Sequence, residues 1–175
     1  MHRSKLAPRV QRRLQKNITG GYPVAFKVIV EGFSEAANMP DRFTCDGLDV
    51  SPALHWCGEP VSTKSFALIV DDPDAPGGTW NHWLVWDIPA YIHSLPEGSE
   101  NSSHGKTGLN DFGKRGYGGP CPPKARGPHR YFFRMFALDT SSIELADGSK
   151  RSAFEKALRK HALAEASFMG RYERH

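Results

Sequence analysis

Apolar residues recur along this chain mostly at period two. Val24, Phe26, Val28 and Val30 alternate with Ala25, Lys27, Ile29 and Glu31, which predicts a strand. Phe66-Ala67-Leu68-Ile69-Val70 is a short run rich in β-formers and reads as a buried strand. His82 to Ile88 resumes a strand that Pro89 ends, and period two places His82 with Leu84 and Trp86 on one face. Tyr131 to Leu138 and Ser167 to Tyr172 complete the strand pattern. One segment changes period: Phe154, Ala157, Leu158, His161 and Ala162 follow the three-or-four spacing of one buried helical face. Ser152 followed by Glu155 supplies a capping box, so a helix is expected over 152–164.

The intervening segments are punctuated differently. Residues 32–64 carry Gly, Pro, Asp and Ser at short intervals and suggest loops with short strands. Residues 95–128 have no hydrophobic period at all. A loop of that length inside a compact domain is generally functional or disordered, and Phe112, Tyr117 and the Pro120-Cys121-Pro122-Pro123 run favour an ordered one. Strand after strand with a single late helix gives a mainly β fold, a β-sandwich with a helix at its edge.

Length and charge narrow the picture. At 175 residues the chain suits one domain, and Gly20-Gly21 with Pro23 mark its start, leaving residues 1–20 as an N-terminal extension before a domain over 21–175. No apolar run approaches the roughly 20 residues that cross a bilayer, so a transmembrane segment is not expected. The formal charge of +4 is local in origin. Residues 1–20 hold six Lys or Arg and no acid, so the rest carries 17 basic against 19 acidic residues. A body that is about neutral lacks the basic surface that phosphate-backbone binding requires, which argues against nucleic acid as a partner. In the extension, Leu6, Val10, Leu14 and Ile18 recur every fourth residue. That spacing suits a basic amphipathic helix, with a frayed or loosely docked extension as the plainer reading; the acid-poor, Arg-rich composition is also compatible with an organelle transit peptide, and the longest apolar run is too short for a secretory signal. Cys45, Cys57 and Cys121 are odd in number and widely spaced, so the expectation is reduced thiols in a cytoplasmic compartment.

Three segments could carry chemistry. In Asp71-Asp72-Pro73-Asp74-Ala75-Pro76 the prolines stiffen the backbone, and an extended conformation would point Asp72 and Asp74 to one side; an Asx-type turn is the ordinary structural account. His82 opens its strand beside tryptophans, which suits a site as well as a hydrogen-bonded core histidine. His129 and Tyr131 share one strand face while Arg130 and Phe132 share the other. A nucleophilic triad is poorly supported, because no Ser, Thr or Cys sits in a nucleophile elbow. A metal site has the ligand types but not the short His or Cys spacings of zinc sites, and neither metal nor cofactor is expected. An anion site remains, with imidazoles, a tyrosine hydroxyl and the Gly116-Tyr117-Gly118-Gly119 backbone as donors. Asp72 and Asp74 would repel an anion unless they hydrogen-bond the histidines and favour their cationic form, or bind the amine of a zwitterion such as an ethanolamine head group.

With these segments identified, the chain closely resembles the phosphatidylethanolamine-binding protein family, in its bacterial Raf kinase inhibitor-like branch. The matching stretches are Phe43-Thr44-Cys45-Asp46-Gly47 through Pro52, Asp72 through Trp80 with His82-Trp83, Asn110-Asp111-Phe112-Gly113, Gly116 through Pro123, His129-Arg130-Tyr131, and Gly170 through Arg174. The resemblance implies a two-sheet antiparallel β fold with a C-terminal helix and few short helices, and a shallow anion pocket. Its residues would be Asp72, Asp74, His82, Pro120, Cys121, His129 and Tyr131. The resemblance also suggests a cis bond at Ala75-Pro76, a phosphate-bearing or other small anionic ligand bound without catalysis, a kinase or protease partner, and a homodimer. An acid–base hydrolase acting on phosphoesters is the alternative. Ala125 stands where the family usually has glycine, and Ala53 where a second proline is common.

Overall fold

The computed structural model describes residues 24–99 and 104–175; the basic extension and its boundary lie outside the described residues. Among the described residues eight strands form: β1 (Lys27–Val30), β2 (Leu54–Cys57), β3 (Ser65–Asp72), β4 (Trp80–Pro89), β5 (Ser94–Leu95), β6 (Lys106–Thr107), β7 (His129–Leu138) and β8 (Ala162–Tyr172). The α-helix α1 (Arg151–His161) precedes β8, and a 3-10 turn covers Asp41–Phe43. The strands pair antiparallel in two sheets, of order β1-β2-β5 and β6-β4-β3-β7-β8.

The sequence pattern explains which side chains go where. In β3 the even positions Phe66, Leu68 and Val70 join a core with Val28, Trp56 and Phe133, whereas Ala67 and Ile69 join Phe154 and Leu158. The first cluster lies between the sheets; the second lies between the larger sheet and α1. A strand covered on both faces reads as an apolar run, as β3 does. The helix therefore packs on the outer face of the larger sheet, with Phe154 5.7 Å from Trp86, and not at the edge of the sandwich. An apolar stripe on α1 finds more surface to bury on a sheet face than at an edge.

The capping box does not form. Lys150 is the N-cap residue and no side chain caps the helix. Glu155 instead accepts a hydrogen bond from Arg151 Nε at 2.7 Å, and a charged partner four residues away replaces the reach back to the cap. The helix ends at His161, three residues short of the expected end, because Ala162 is drawn into β8 opposite Leu138.

Strand β4 departs twice from regular pairing. Between Phe66/Leu68 and between Val70/Asp71 of β3 the register slips by one extra residue on β4. The first bulge holds Asp87 at φ 57°, with its carboxylate accepting from Ser142 Oγ and Ile143 N. The second leaves His82 as the unpaired residue, since Val70 faces Trp83 while Asp71 faces Asn81. A bulge bends the strand and re-aims the side chain it releases. Leu84 and Trp86 lie on the helix side of the sheet, but His82 turns to the other side, where its ring meets Tyr131 at 5.3 Å. Simple alternation places His82 with Leu84 and Trp86, and the bulge overturns that expectation.

Candidate functional site

A cleft of about 380 Å³ opens at the end of the larger sheet where β3, β4 and β7 converge. Its polar lining is Asp72, His82 and His129; its apolar lining includes Trp80, Phe112, Pro76 and Pro122. All three polar residues are buried, so their hydrogen bonds decide what they can offer.

Asp72 ends β3 facing the inter-sheet side, one residue after Asp71 on the opposite face. Its Oδ2 accepts a hydrogen bond from His129 Nδ1 at 2.7 Å, and its Oδ1 accepts from Asp74 N at 2.8 Å. The second bond is an Asx turn, the ordinary structural account of this carboxylate, and the first leaves the same group beside the cleft. His129 opens β7 opposite Tyr172 and lies with Tyr131 on the buried face, as the period-two pattern requires. Tyr131 packs beneath His82, its hydroxyl buried and without a hydrogen bond among the described residues. Burial foremost, then the negative charge of Asp72, pushes the Tyr131 phenol well above its ordinary range, so the hydroxyl keeps its proton.

His82 is held from the other side. Its Nδ1 donates to the Gly118 carbonyl at 2.6 Å, and Gly118 N donates back to the His82 carbonyl at 3.0 Å. The ring stands edge-on to Phe112 at 5.5 Å. Burial lowers the His82 pKa below the ordinary 6.5; the Gly118 hydrogen bond and the charges of Asp72, Asp71 and Asp111 oppose that shift and are outweighed. The expectation of a cationic histidine therefore fails at this position. Desolvation by the aromatic surroundings exceeds the attraction of the carboxylates.

Residues 110–116 of the long loop are tied together by one side chain. Asn110 Nδ2 donates to the Gly116 carbonyl, and its Oδ1 accepts from Phe112 N and Lys114 N, closing a tight turn. Asp111 ties that turn to β4: its Oδ2 accepts from Asn81 N and its own N–H donates to the Asn81 carbonyl. Glycine is required where the loop meets its neighbours, since a Cβ at Gly118 would stand 2.6 Å from Phe112 and one at Gly119 2.3 Å from the Phe43 carbonyl. Two of the four backbone N–H groups expected as donors to an anion are already engaged within the protein. Gly118 N is bonded to His82, and Gly119 N donates to Asp49 Oδ1 at 2.7 Å.

Three more expectations change. Asp74 does not line the cleft; Arg130 Nε and Nη2 and the Arg130 backbone N–H bind it at 2.7–3.0 Å on the exposed side. Those hydrogen bonds, ahead of opposing burial, pull its carboxyl down to about 2. Ala75-Pro76 lines the cleft, but no cis peptide bond occurs among the described residues. Cys45 and Cys121 are not reduced thiols: they form a disulfide across 76 residues, and Cys57 alone is free and exposed. The pairing follows from two loops pressed together, where Cys45 N also donates to the Pro120 carbonyl and Tyr117 Oη to the Phe43 carbonyl. Cys spacing in sequence carries no trace of that contact.

Of the seven sequence-derived site residues, Asp72, His82, Cys121 and His129 line the cleft, while Asp74, Pro120 and Tyr131 support it from behind or beside. Trp80 and Phe112 were not among them, although their rings meet at 5.4 Å and form much of the wall. Both lie within the motif stretches, and aromatic residues in a long ordered loop were the available signal. Among the described residues no group of three or more His, Cys, Asp or Glu side chains is arranged to hold a metal ion.

A model of the family described as phosphatidylethanolamine-binding protein matches residues 30–173. A protein of Aquifex aeolicus (strain VF5), known as a UPF0098 protein, is 46% identical over 152 residues, covering 85% of this chain and 88% of its own. The UPF0098 protein YbcL of Escherichia coli (strain K12) is 41% identical over 138 residues, 75% of each chain. The crystal structure of E. coli YbcL, described as a new member of the mammalian PEBP family, superposes with a TM-score of 0.82 at 35% identity, covering 87% of this chain and all of that one. A phosphatidylethanolamine-binding protein homologue of Chlamydia trachomatis gives 0.79 at 34% identity over 86% and 99%. By the extent of that match, with the two-sheet fold and its C-terminal helix, this chain belongs to the phosphatidylethanolamine-binding protein family.

Proposed function

We propose that the protein binds a small phosphate-bearing or other anionic ligand in the cleft of Asp72, His82 and His129, without transforming it, and that the occupied cleft modulates a partner enzyme such as a kinase or protease. The observation that carries this reading is the compensation of both aspartates. Asp72 is bonded to His129 and Asp74 to Arg130, so neither presents a bare negative charge to an incoming anion. His129 Nδ1 is fixed by Asp72, which leaves Nε2 as the ring nitrogen available to the cleft it lines. The Trp80 and Phe112 walls suit an apolar substituent on the ligand.

Calorimetric titration with inorganic phosphate and phosphoethanolamine tests the reading. Saturable binding that falls at least about tenfold in His129→Ala, a loss of about 1.4 kcal/mol, supports it. No binding of either anion at millimolar concentration would overturn it.

One observation favours a second reading. The Asp72–His129 bond at 2.7 Å is how a carboxylate orients an imidazole for general acid–base work. Among the described residues, however, those that line the cleft offer no hydroxyl or free thiol as nucleophile, since Cys121 is in the disulfide. Turnover of phosphomonoesters that disappears in His129→Ala would establish the hydrolase; none across a broad panel leaves binding.

The disulfide also bears on location. Such bonds persist in oxidising compartments, which weighs against the expected cytoplasmic placement. Alkylation of thiols at the moment of cell lysis, followed by mass measurement, decides it: one modified cysteine for the oxidised protein, three for the reduced.

A further inference from the structure

The two histidines of the cleft are fixed in different ways, and the difference bears on which phosphate the site accepts. Gly118 offers His82 only a carbonyl oxygen, which cannot donate, so the hydrogen of the 2.6 Å contact belongs to Nδ1. The return bond from Gly118 N to the His82 carbonyl holds the same geometry from the backbone. His82 is 2% exposed and its ring stands against Phe112 and Tyr131, surroundings that disfavour a second proton on the ring. Nε2 then carries a lone pair. It is the remaining ring nitrogen of a residue that lines the cleft, and a ligand there finds in it an acceptor and not a donor.

A fully ionised phosphate dianion presents only lone pairs and meets a lone pair at His82. We infer that the cleft selects ligands that bring a hydrogen-bond donor to His82 Nε2, and that among phosphates it takes the protonated monoanion of a monoester or of phosphate itself, in preference to the dianion and to a diester without a P–OH. This rests on the proposed anion-binding role of the cleft and specifies its ligand. The hydrogen phosphate group carries an acidic O–H for His82 and neighbouring acceptor oxygens for His129, which in its charged form presents Nε2–H.

The charges around the site fit one negative charge better than two. Facing His82 are Asp72 from β3, His129 and Tyr131 from β7, and Asp111 from the loop, with Asp71 behind the strand. Asp71 is answered by Arg134 and Arg151 on the far face, and Asp74 by Arg130. Among the described residues no lysine or arginine lines the cleft, so a dianion would meet no permanent cation there.

Phenyl phosphate, methyl phenyl phosphate and phenyl sulfate separate the alternatives, because all three carry the same ring. The monoester loses its proton near pH 6, whereas the diester and the sulfate stay monoanionic with no O–H. Calorimetric titrations at pH 5.5, 7.0 and 8.5 read the ratio of affinities at each pH, which cancels any change in the protein that acts on all three alike. The expected result is phenyl phosphate binding at least about tenfold tighter than both donor-free anions at pH 5.5, with the advantage shrinking to about twofold at pH 8.5. Equal binding of all three at pH 5.5 would overturn the donor requirement and leave the anion-binding role standing. Absence of binding by any of them would overturn both. Nitrogen-15 spectra of the free protein give a check without ligand: His82 should be in the neutral Nδ1–H form below its ordinary 6.5, and a proton on Nε2 would refute the proposal.

Discussion

Asp71 and Asp72 are neighbours on one strand, equally buried, and do opposite work. Asp71 faces α1, where its Oδ2 accepts from Arg134 Nη2 at 2.6 Å and Arg151 Nη2 at 2.8 Å. Asp72 faces the space between the sheets, where a single histidine shares it with the cleft. One side of the strand holds a carboxylate with two cations and no access to the cleft; the other holds a carboxylate with a titratable partner beside it. Alternation along a strand suffices to separate a structural ion cluster from a candidate site, and the residue type alone says nothing of which is which. The largest expected effect follows. Asp71→Asn removes the anion that two partly buried guanidinium groups share, leaving Arg151 only Glu155 and Arg134 only the more distant Glu165, and should destabilise the fold by about 3 kcal/mol. Chemical denaturation measures this, and phosphate affinity should stay within about twofold of wild type. A large loss of affinity with little loss of stability would break the division between the two faces.

Asp72→Asn inverts the outcome. The His129 Nδ1–H loses a charged acceptor, a change of about 1–2 kcal/mol in stability, and affinity for phosphate should fall about tenfold. Unchanged affinity for both phosphate and phosphoethanolamine would remove Asp72 from the site. His82 sharpens the comparison through pH. Its folded-state pKa lies below the ordinary 6.5, so the unfolded chain takes up the proton first. The stability associated with neutral His82 is complete above about pH 6.5 and declines as pH falls below it. The stability difference between wild type and His82→Asn should therefore shrink between pH 7 and 5. His55, His93 and His161, paired with Glu31, Glu59 and Asp139, are common to both proteins and cancel. A difference that is flat or grows toward acid pH contradicts a depressed pKa.

Much of the fold is legible in the sequence because it depends on local period. The five long strand and helix segments follow directly from alternation and three-or-four spacing, with edges off by a few residues where pairing extends a strand. His129 and Tyr131 sharing a buried face is the same arithmetic. What the sequence hides is set by contacts between distant segments. The His82 bulge depends on how β3 meets β4, so alternation placed the ring on the wrong side. The Cys45–Cys121 disulfide and the Gly119–Asp49 bond depend on two loops meeting. Asp74 looked equivalent to Asp72 two residues away, yet the turn after Pro73 sends it to Arg130 on the exposed side.

That exposed pair defines a smaller prediction. Asp74→Asn should change stability by less than about 1 kcal/mol, since solvent screens a pair of this exposure. Because the Asp74 pKa is depressed to about 2, its contribution is present above the ordinary 3.8 and lost as pH falls from there toward 2, so the variant should unfold in acid with a shallower slope over that window. An equal slope in both proteins would show that the Arg130 pair is idle in solution.

The smallest effect concerns the loop that leads into β7 and carries His129 to the cleft. Ala125 sits at φ 55°, in the left-handed region, where the resemblance to the family places a glycine. A Cβ there costs about 1 kcal/mol, and the greater freedom of glycine in the unfolded chain takes back part of the relief. Ala125→Gly should therefore stabilise by about 0.5 kcal/mol, a rise in melting temperature of about 1–2 °C for a chain of this length. Its N–H donates to the Arg174 carbonyl and its side chain does not line the cleft, so affinity for phosphate should stay constant. If affinity instead changed more than about twofold, the backbone of this loop would be positioning His129. The division between the faces of Asp71 and Asp72 would then extend beyond β3 into the segment that delivers their partners.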